Sequence, residues 1–146
     1  MANVRYHQAF ADQLQALEQS NPAAFADVIA LVTALRDHGR TIEGDDHGSD
    51  PSHPIITSKY DTWALRRTPA TYFTPEADGE PVLRIPYVWM EDGEGSTYAL
   101  VLFIGDKTHL GNRWYPTAVA RIENEFLPKW EGQHPGHRPR RQRRRT

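Results

Sequence analysis

Apolar residues in the first forty positions recur at helical spacing. Between residues 6 and 19, Phe10, Leu14 and Leu17 share one side, with Asp12 and Gln13 facing elsewhere. Ser20-Asn21-Pro22 breaks this run, and Asn21 suits an N-cap with Pro22 at the first helical position. Phe25, Val28, Ile29, Val32 and Leu35 then form a second stripe, which ends at Gly39. Two antiparallel helices are predicted, each turning its stripe toward the core. Residues 41–59 change character. Gly44, Gly48, Pro51 and Pro54 stand among Asp45, Asp46, His47, Asp50 and His53, and a loop is predicted.

Beyond Lys59 the period becomes that of a strand. In residues 62–66, Trp63 and Leu65 take one face and Arg66 the other. After a turn-rich stretch ending at Asp78-Gly79-Glu80, residues 82–90 alternate again: Leu83, Ile85, Tyr87 and Trp89 share a face and Arg84 points the opposite way, toward solvent. Pro86 marks this run as an edge strand or one with a bulge. The acidic, glycine-containing residues 91–96 suit a hairpin connection to residues 98–104, whose continuous apolar character predicts a strand buried on both faces at the centre of the sheet. Pro116 opens a last helix with Ala118, Val119, Ile122 and Phe126 inward, and Pro128 limits it. The pattern is that of an α+β domain, with an N-terminal helical hairpin packed on a small antiparallel β-sheet and a C-terminal helix after it. The sheet's second face is left partly open. Arg66 and Arg84 fall together on it, a pairing of like charges that favours an anion between them.

With 146 residues, the chain fits one domain, residues 1–133, and a short tail, residues 134–146. At 38% hydrophobic residues it can bury a real core. Its lack of cysteine removes disulfides, cysteine-ligated zinc, iron–sulfur clusters and thiol nucleophiles. No apolar run approaches the ~20 residues that span a bilayer, and no basic segment followed by an apolar one opens the chain, so a cytoplasmic protein without membrane partners is expected. Charge is uneven. Eleven basic and nineteen acidic residues lie before the tail, for a net of −8, and the tail adds six arginines: Arg138, Arg140, Arg141, Arg143, Arg144 and Arg145. A block of like charge with Pro135, Gly136 and Pro139 in it is expected to be disordered, and either attracts phosphate or serves as a solubilising tail that can fold back on the acidic body.

Arg66, Arg67, Arg84, Lys107, His109, Arg113 and Tyr115 are the basic and aromatic residues that can serve the open face. This set suits RNA, because guanidinium forks match phosphate and His or Tyr can move a proton or stack on a base. Metal-free RNA cleavage needs a group to accept the 2′-hydroxyl proton, cations for the charge gathering on phosphate, and an acid for the leaving 5′-oxygen. The Asp and His residues of the 41–59 loop match no metal-ligand spacing, and neither metal nor cofactor is expected; a metal-dependent enzyme using His47 and His53 is the lowest-ranked alternative.

Two amphipathic helices, then Trp63-Ala64-Leu65-Arg66, Leu83-Arg84-Ile85-Pro86-Tyr87, and Leu100-Val101-Leu102-Phe103 followed by Lys107-Thr108, resemble the RelE/ParE superfamily of bacterial toxin–antitoxin modules, especially its HigB-like and phage-derived branch. The resemblance covers residues 6–130. It implies a RelE-like fold and a ribosome-dependent mRNA endonuclease that works in the ribosomal A site without a metal and is silenced by a cognate antitoxin. By position, Arg66 and Arg84 match the strand arginines that contact or stabilise the scissile phosphate, and Lys107 the basic residue after the central strand. Tyr115 is the counterpart of the family's C-terminal aromatic, which stacks on a base or assists proton transfer. The acidic body, the long 41–59 loop and the arginine tail depart from the pattern. A non-catalytic binder on the same scaffold, acting on gyrase as the ParE branch does or binding nucleic acid through the tail, is the alternative.

Overall fold

The computed structural model describes residues 1–45, 50–66, 82–107 and 110–142. Strand β1 (Val4–Tyr6) runs into α1 (Gln8–Ser20), whose N-cap is His7: its Nδ1 accepts the Ala9 amide at 3.1 Å. Asn21 caps α2 (Pro22–His38) by accepting the Ala24 amide at 3.1 Å, with Pro22 where a missing amide proton is harmless. Helix α2 stops at Gly39, whose φ of +56° lies in the region that glycine enters without strain, and a 3-10 turn (Gly39–Ile42) follows.

The predicted 41–59 loop contains a strand. β2 (Ser52–Pro54) pairs antiparallel with β3 (Thr62–Arg66), matching Ser52 with Leu65, His53 with Ala64 and Pro54 with Trp63. Three residues are too few to display an alternation, and Pro54 is tolerated because β2 is the edge of the sheet. The next strand is β4 (Leu83–Glu91), followed through an Asp92 turn by β5 (Thr97–Val101), and then by β6 (Gly105–Asp106). The order is β1-β5-β4-β3-β2, with β1 parallel to β5 and β2 to β5 antiparallel among themselves.

The middle of the sheet is therefore β4 and not the 98–104 run, whose strand β5 ends at Val101 with β6 starting only after it, at Gly105. Pro86 lies within β4 without being an edge residue. Its N and O point to the β5 side, where pairing with β5 ends at Tyr87 opposite Val101 and pairing with β6 resumes at Arg84 opposite Gly105. The ladder thus has a break at the one residue that lacks a donor, and the Pro86 carbonyl is met by the Leu102 amide at 3.0 Å.

On one face, Phe10, Val28, Val32 and Leu35 of α1 and α2 pack against Leu65, Leu83, Ile85, Tyr87 and Val101. The other face is not left open. A continuous helical run covers it: α3 (Trp114–Arg121), a π-helical turn (Ile122–Phe126) and α4 (Leu127–Gln133) bury Trp114, Ile122, Phe126, Leu127 and Trp130 on Val88, Met90, Tyr98 and Leu100. The helix begins at Trp114, two residues before Pro116, which its first turn tolerates. Nor does Pro128 end it, because the wider π-helical turn just before it relieves the clash a proline ring makes with the carbonyl four residues back. The protein is thus a mixed α and β fold with helices on both faces of a seven-stranded sheet among the described residues. None of the described helices is long and apolar enough to cross a membrane.

The tail also departs from expectation, since residues 134–142 are ordered against the sheet. Strand β7 (Arg138–Pro139) pairs with β4 at Met90 and Glu91, the Arg140 amide donates to the Trp89 carbonyl at 2.9 Å, and Arg141 bridges Tyr60. Aromatic contacts lead the chain there: His134 stacks on Trp130 at 3.8 Å, and His137 Nδ1 lies 2.7 Å from the Tyr98 hydroxyl. Arginine content concealed this, because a strand needs only backbone donors and acceptors and a free edge.

Candidate phosphate-binding site

Four strands bring the site together. Arg66 and Arg84 occupy directly opposed positions of β3 and β4. Arg84 in turn faces Gly105, and Leu83 faces Asp106, so that Lys107 leaves β6 at the same end of the sheet, its amide donating to the Val82 carbonyl at 2.9 Å. Alternation along β3 and β4 puts Arg66, Arg84 and Val88 on the α3 side. There Tyr115, in the first turn of α3, places its hydroxyl 3.2 Å from His53 Nε2, with the two rings edge to face at 5.8 Å. The Lys107 ammonium sits 5.2 Å from the centre of the Tyr115 ring. Arg113 is exposed just before α3.

The sequence-derived set Arg66, Arg84, Lys107 and Tyr115 thus meets in one region, with Arg113 adjoining it. Arg67 and His109 lie outside the described residues, as do Arg143, Arg144 and Arg145. Arg138, Arg140 and Arg141 belong to the opposite end of β4.

One expectation about this set is corrected. Arg84 was placed in solvent by alternation, yet only 4% of its surface is exposed, and its guanidinium donates to its neighbour's carbonyl at Leu83, at 2.8 Å. The cause is the second helical layer, which turns the outward positions of β4 into interior ones. Arg66 is half-buried, and its Nε donates to the Asp50 carbonyl at 3.0 Å. Gly105 is required here: a Cβ at this position would overlap the Trp114 indole that closes the site from the helical side.

His53 is the site residue that sequence patterning misassigned. It reads as a loop residue and a metal-ligand candidate, whereas it is 4% exposed on β2 and partners Tyr115. His47, its proposed companion, lies outside the described residues, and no group of three or more His, Cys, Asp or Glu suited to a metal occurs among the described ones.

A second polar cluster, on the α2 side, also escaped sequence patterning. The Glu43 carboxylate, 4% exposed, accepts from Tyr87 Oη and Trp89 Nε1, both at 2.7 Å, and from Arg40 at 2.9 Å. Arg40 also pairs with Asp61 and lies 4.5 Å from the centre of the Trp89 ring, while Ser52 Oγ contacts the Tyr87 hydroxyl at 2.7 Å. Burial pushes the Glu43 carboxyl above its ordinary range, although the Trp89, Tyr87 and Arg40 donors partly offset this. Burial and the Glu43 charge together hold Tyr87 well above the usual phenol range. The cluster pins the 3-10 turn and the turn before β3 to the sheet.

The first site differs in kind. It gathers Arg66, Arg84 and Lys107 beside the His53–Tyr115 couple at one end of the sheet. No protein-family model, no curated protein and no solved structure matches the chain.

Proposed function

We propose that the protein is a RelE/ParE-like toxin that cleaves mRNA in the ribosomal A site without a metal and is neutralised by a cognate antitoxin. The single observation that carries this is the convergence of Arg66, Arg84, Lys107 and Tyr115, taken from three distant sequence motifs, at one end of the sheet. Each of these residues is one that the family resemblance singles out.

In the proposed reaction the RNA 2′-oxygen attacks the adjacent phosphorus. The O2′–P bond forms, the P–O5′ bond breaks, and the products are a 2′,3′-cyclic phosphate and a 5′-hydroxyl. Arg66 and Lys107 bind the non-bridging oxygens and stabilise the charge that grows on them, while the buried Arg84 adds its positive charge from beneath without touching the phosphate. Tyr115, held by His53, serves the proton transfers at the 2′-oxygen and the 5′-oxygen or stacks on the neighbouring base. The acidic body is compatible with an RNA target when its charge is polarised, and α1 and α2 carry Asp12, Glu18, Asp27 and Asp37 against Arg36 alone.

The test is induced expression of wild type, Arg66→Gln and Arg84→Lys in a bacterial host, with 5′-end mapping of mRNA minutes afterwards. Cuts within translated codons for the wild type, lost in Arg66→Gln, are expected. Growth arrest without cuts overturns the nuclease and leaves a gyrase-type or other binding inhibitor on this scaffold.

A further inference from the structure

We propose that the strand-bound tail forms a second RNA-binding surface, a fixed basic edge at the far end of the sheet from Arg66 and Arg84. Residues 138–142 run antiparallel past the end of β4 and the turn before β3, held by Arg140 N to Trp89 O at 2.9 Å, Asp61 N to Arg140 O at 2.8 Å and Gln142 N to Lys59 O at 3.0 Å. This backbone pairing sets Arg138, Arg140 and Arg141 beside the exposed Lys59 and leads directly into the sequence Arg143-Arg144-Arg145.

The charge there is not consumed internally. Arg138 and Arg140 share one carboxylate, Glu91, at 3.7 and 3.9 Å, beyond hydrogen-bond length, and the Arg138 side chain is 78% exposed. The Arg138 fork is therefore open to an incoming anion with two or more oxygens, which is how guanidinium recognises phosphate, and the Arg140 side chain, 32% exposed, presents its fork only in part. Strand geometry places Arg138 and Arg140 on one side about 6.8 Å apart, a repeat suited to successive charges along an extended polyanion rather than to one small ion. Holding them in a strand also removes part of the ordering cost that a flexible arm incurs on binding.

Arg84 and Glu91 are seven positions apart on β4, about 24 Å of strand. The two surfaces are thus distinct, and one RNA strand of several nucleotides is needed to touch both. That the polyanion is RNA rests on the proposed function; the existence of the surface does not.

The experiment uses the full chain, because the tail is part of the sheet. A fluorescent 12-nucleotide 2′-O-methyl RNA, which has no free 2′-hydroxyl and stays uncut, is titrated by anisotropy at several salt concentrations. The proteins compared are wild type, Arg138→Gln/Arg140→Gln/Arg141→Gln and Arg66→Gln, each with its thermal unfolding recorded. Loss of three phosphate contacts is expected to flatten the slope of log K against log salt by about 2, so that raising salt from 50 to 200 mM weakens the wild type about 18-fold more than the triple variant. Arg66→Gln is expected to change that slope by less than about 1. Equal affinity and slope for wild type and a folded triple variant overturn the proposal, as does a triple variant that loses only binding to anionic phospholipid vesicles. Normal slope loss in the absence of any mRNA cuts in cells retains this surface and removes the nuclease.

Discussion

Arg66 and Arg84 stand directly opposite each other across β3 and β4, at the one end of the sheet where Lys107 and the His53–Tyr115 couple also arrive. Like charges at opposed strand positions oppose folding. At this end of the sheet the two arginines are joined by the Lys107 ammonium. Their burial differs, however, and this separates what each substitution tests.

Arg84→Ala is expected to destabilise the protein by about 2–4 kcal/mol, because it deletes a buried side chain and its hydrogen bond to the Leu83 carbonyl. Arg66→Ala, at a half-buried position, is expected to cost about 1 kcal/mol or less. Both should abolish toxicity. Urea unfolding of the two purified variants distinguishes loss of fold from loss of site, and equal midpoints would remove the assigned interior role of Arg84.

What the sequence disclosed follows from which features have a period. Helices α1 and α2 were legible from their stripes and caps, and Arg66 and Arg84 from alternation along β3 and β4. β2 was not, because three residues carry no period. Nor was the layer over the second face: the Ala118, Ile122 and Phe126 stripe indicated a helix but not where it would pack, so Arg84 was placed in solvent. β7 is held by main-chain pairing and by His134 and His137 on aromatic rings, none of which arginine content reveals. His53 joined the site only through β2.

Gly105→Ala places a methyl group into the Trp114 indole at the tightest approach between β6 and α3. The expected cost is about 1–3 kcal/mol of overpacking, accompanied by displacement of α3 and hence of Tyr115. Reduced activity with a lowered melting temperature is expected, and the tryptophan fluorescence, read against a Trp114→Phe control because the chain has four tryptophans, reports the displacement. An unshifted spectrum and melting temperature would show that the strand has room to yield.

Two buried groups act oppositely on stability as pH changes. Glu43 has a carboxyl raised above its ordinary 4.5 by burial, so the native state holds this proton more tightly than the unfolded chain; its contribution is full below pH 4.5 and is lost as pH rises through the raised value. His7 is lowered below its ordinary 6.5, by burial first and then by Lys129, against a smaller opposing effect of the Phe126 backbone. Its contribution is present above pH 6.5 and is lost as pH falls through the lowered value. Urea unfolding from pH 4 to 8 is expected to show both slopes. Glu43→Gln should remove the loss on the alkaline side of 4.5, and His7→Asn, which can still cap α1, the loss below 6.5; slopes unchanged in these variants would place the linkage elsewhere.

Truncation after Gln133 bears on whether the tail is an appendage or a sheet element. The deletion removes β7 from Met90 and Glu91, the Arg140 hydrogen bonds to Trp89 and Asp61, the His134 stack on Trp130 and the His137 contact with Tyr98. It uncovers the Tyr98 hydroxyl, which burial holds above the usual phenol range and which still accepts from Trp130 Nε1 at 2.8 Å. Each net hydrogen bond in this set contributes about 1 kcal/mol and the stacked pair about 0.5–1.5 kcal/mol. A loss of about 2–4 kcal/mol is therefore expected, with a smaller dependence of unfolding free energy on urea because less surface is exposed on unfolding. Charge contributes little to this, since the Glu91 contacts are long and exposed. The triple substitution of Arg138, Arg140 and Arg141 by Gln should accordingly leave the unfolding free energy within about 1 kcal/mol of wild type. A truncated protein as stable as the full chain would return residues 134–142 to the status of a free arm.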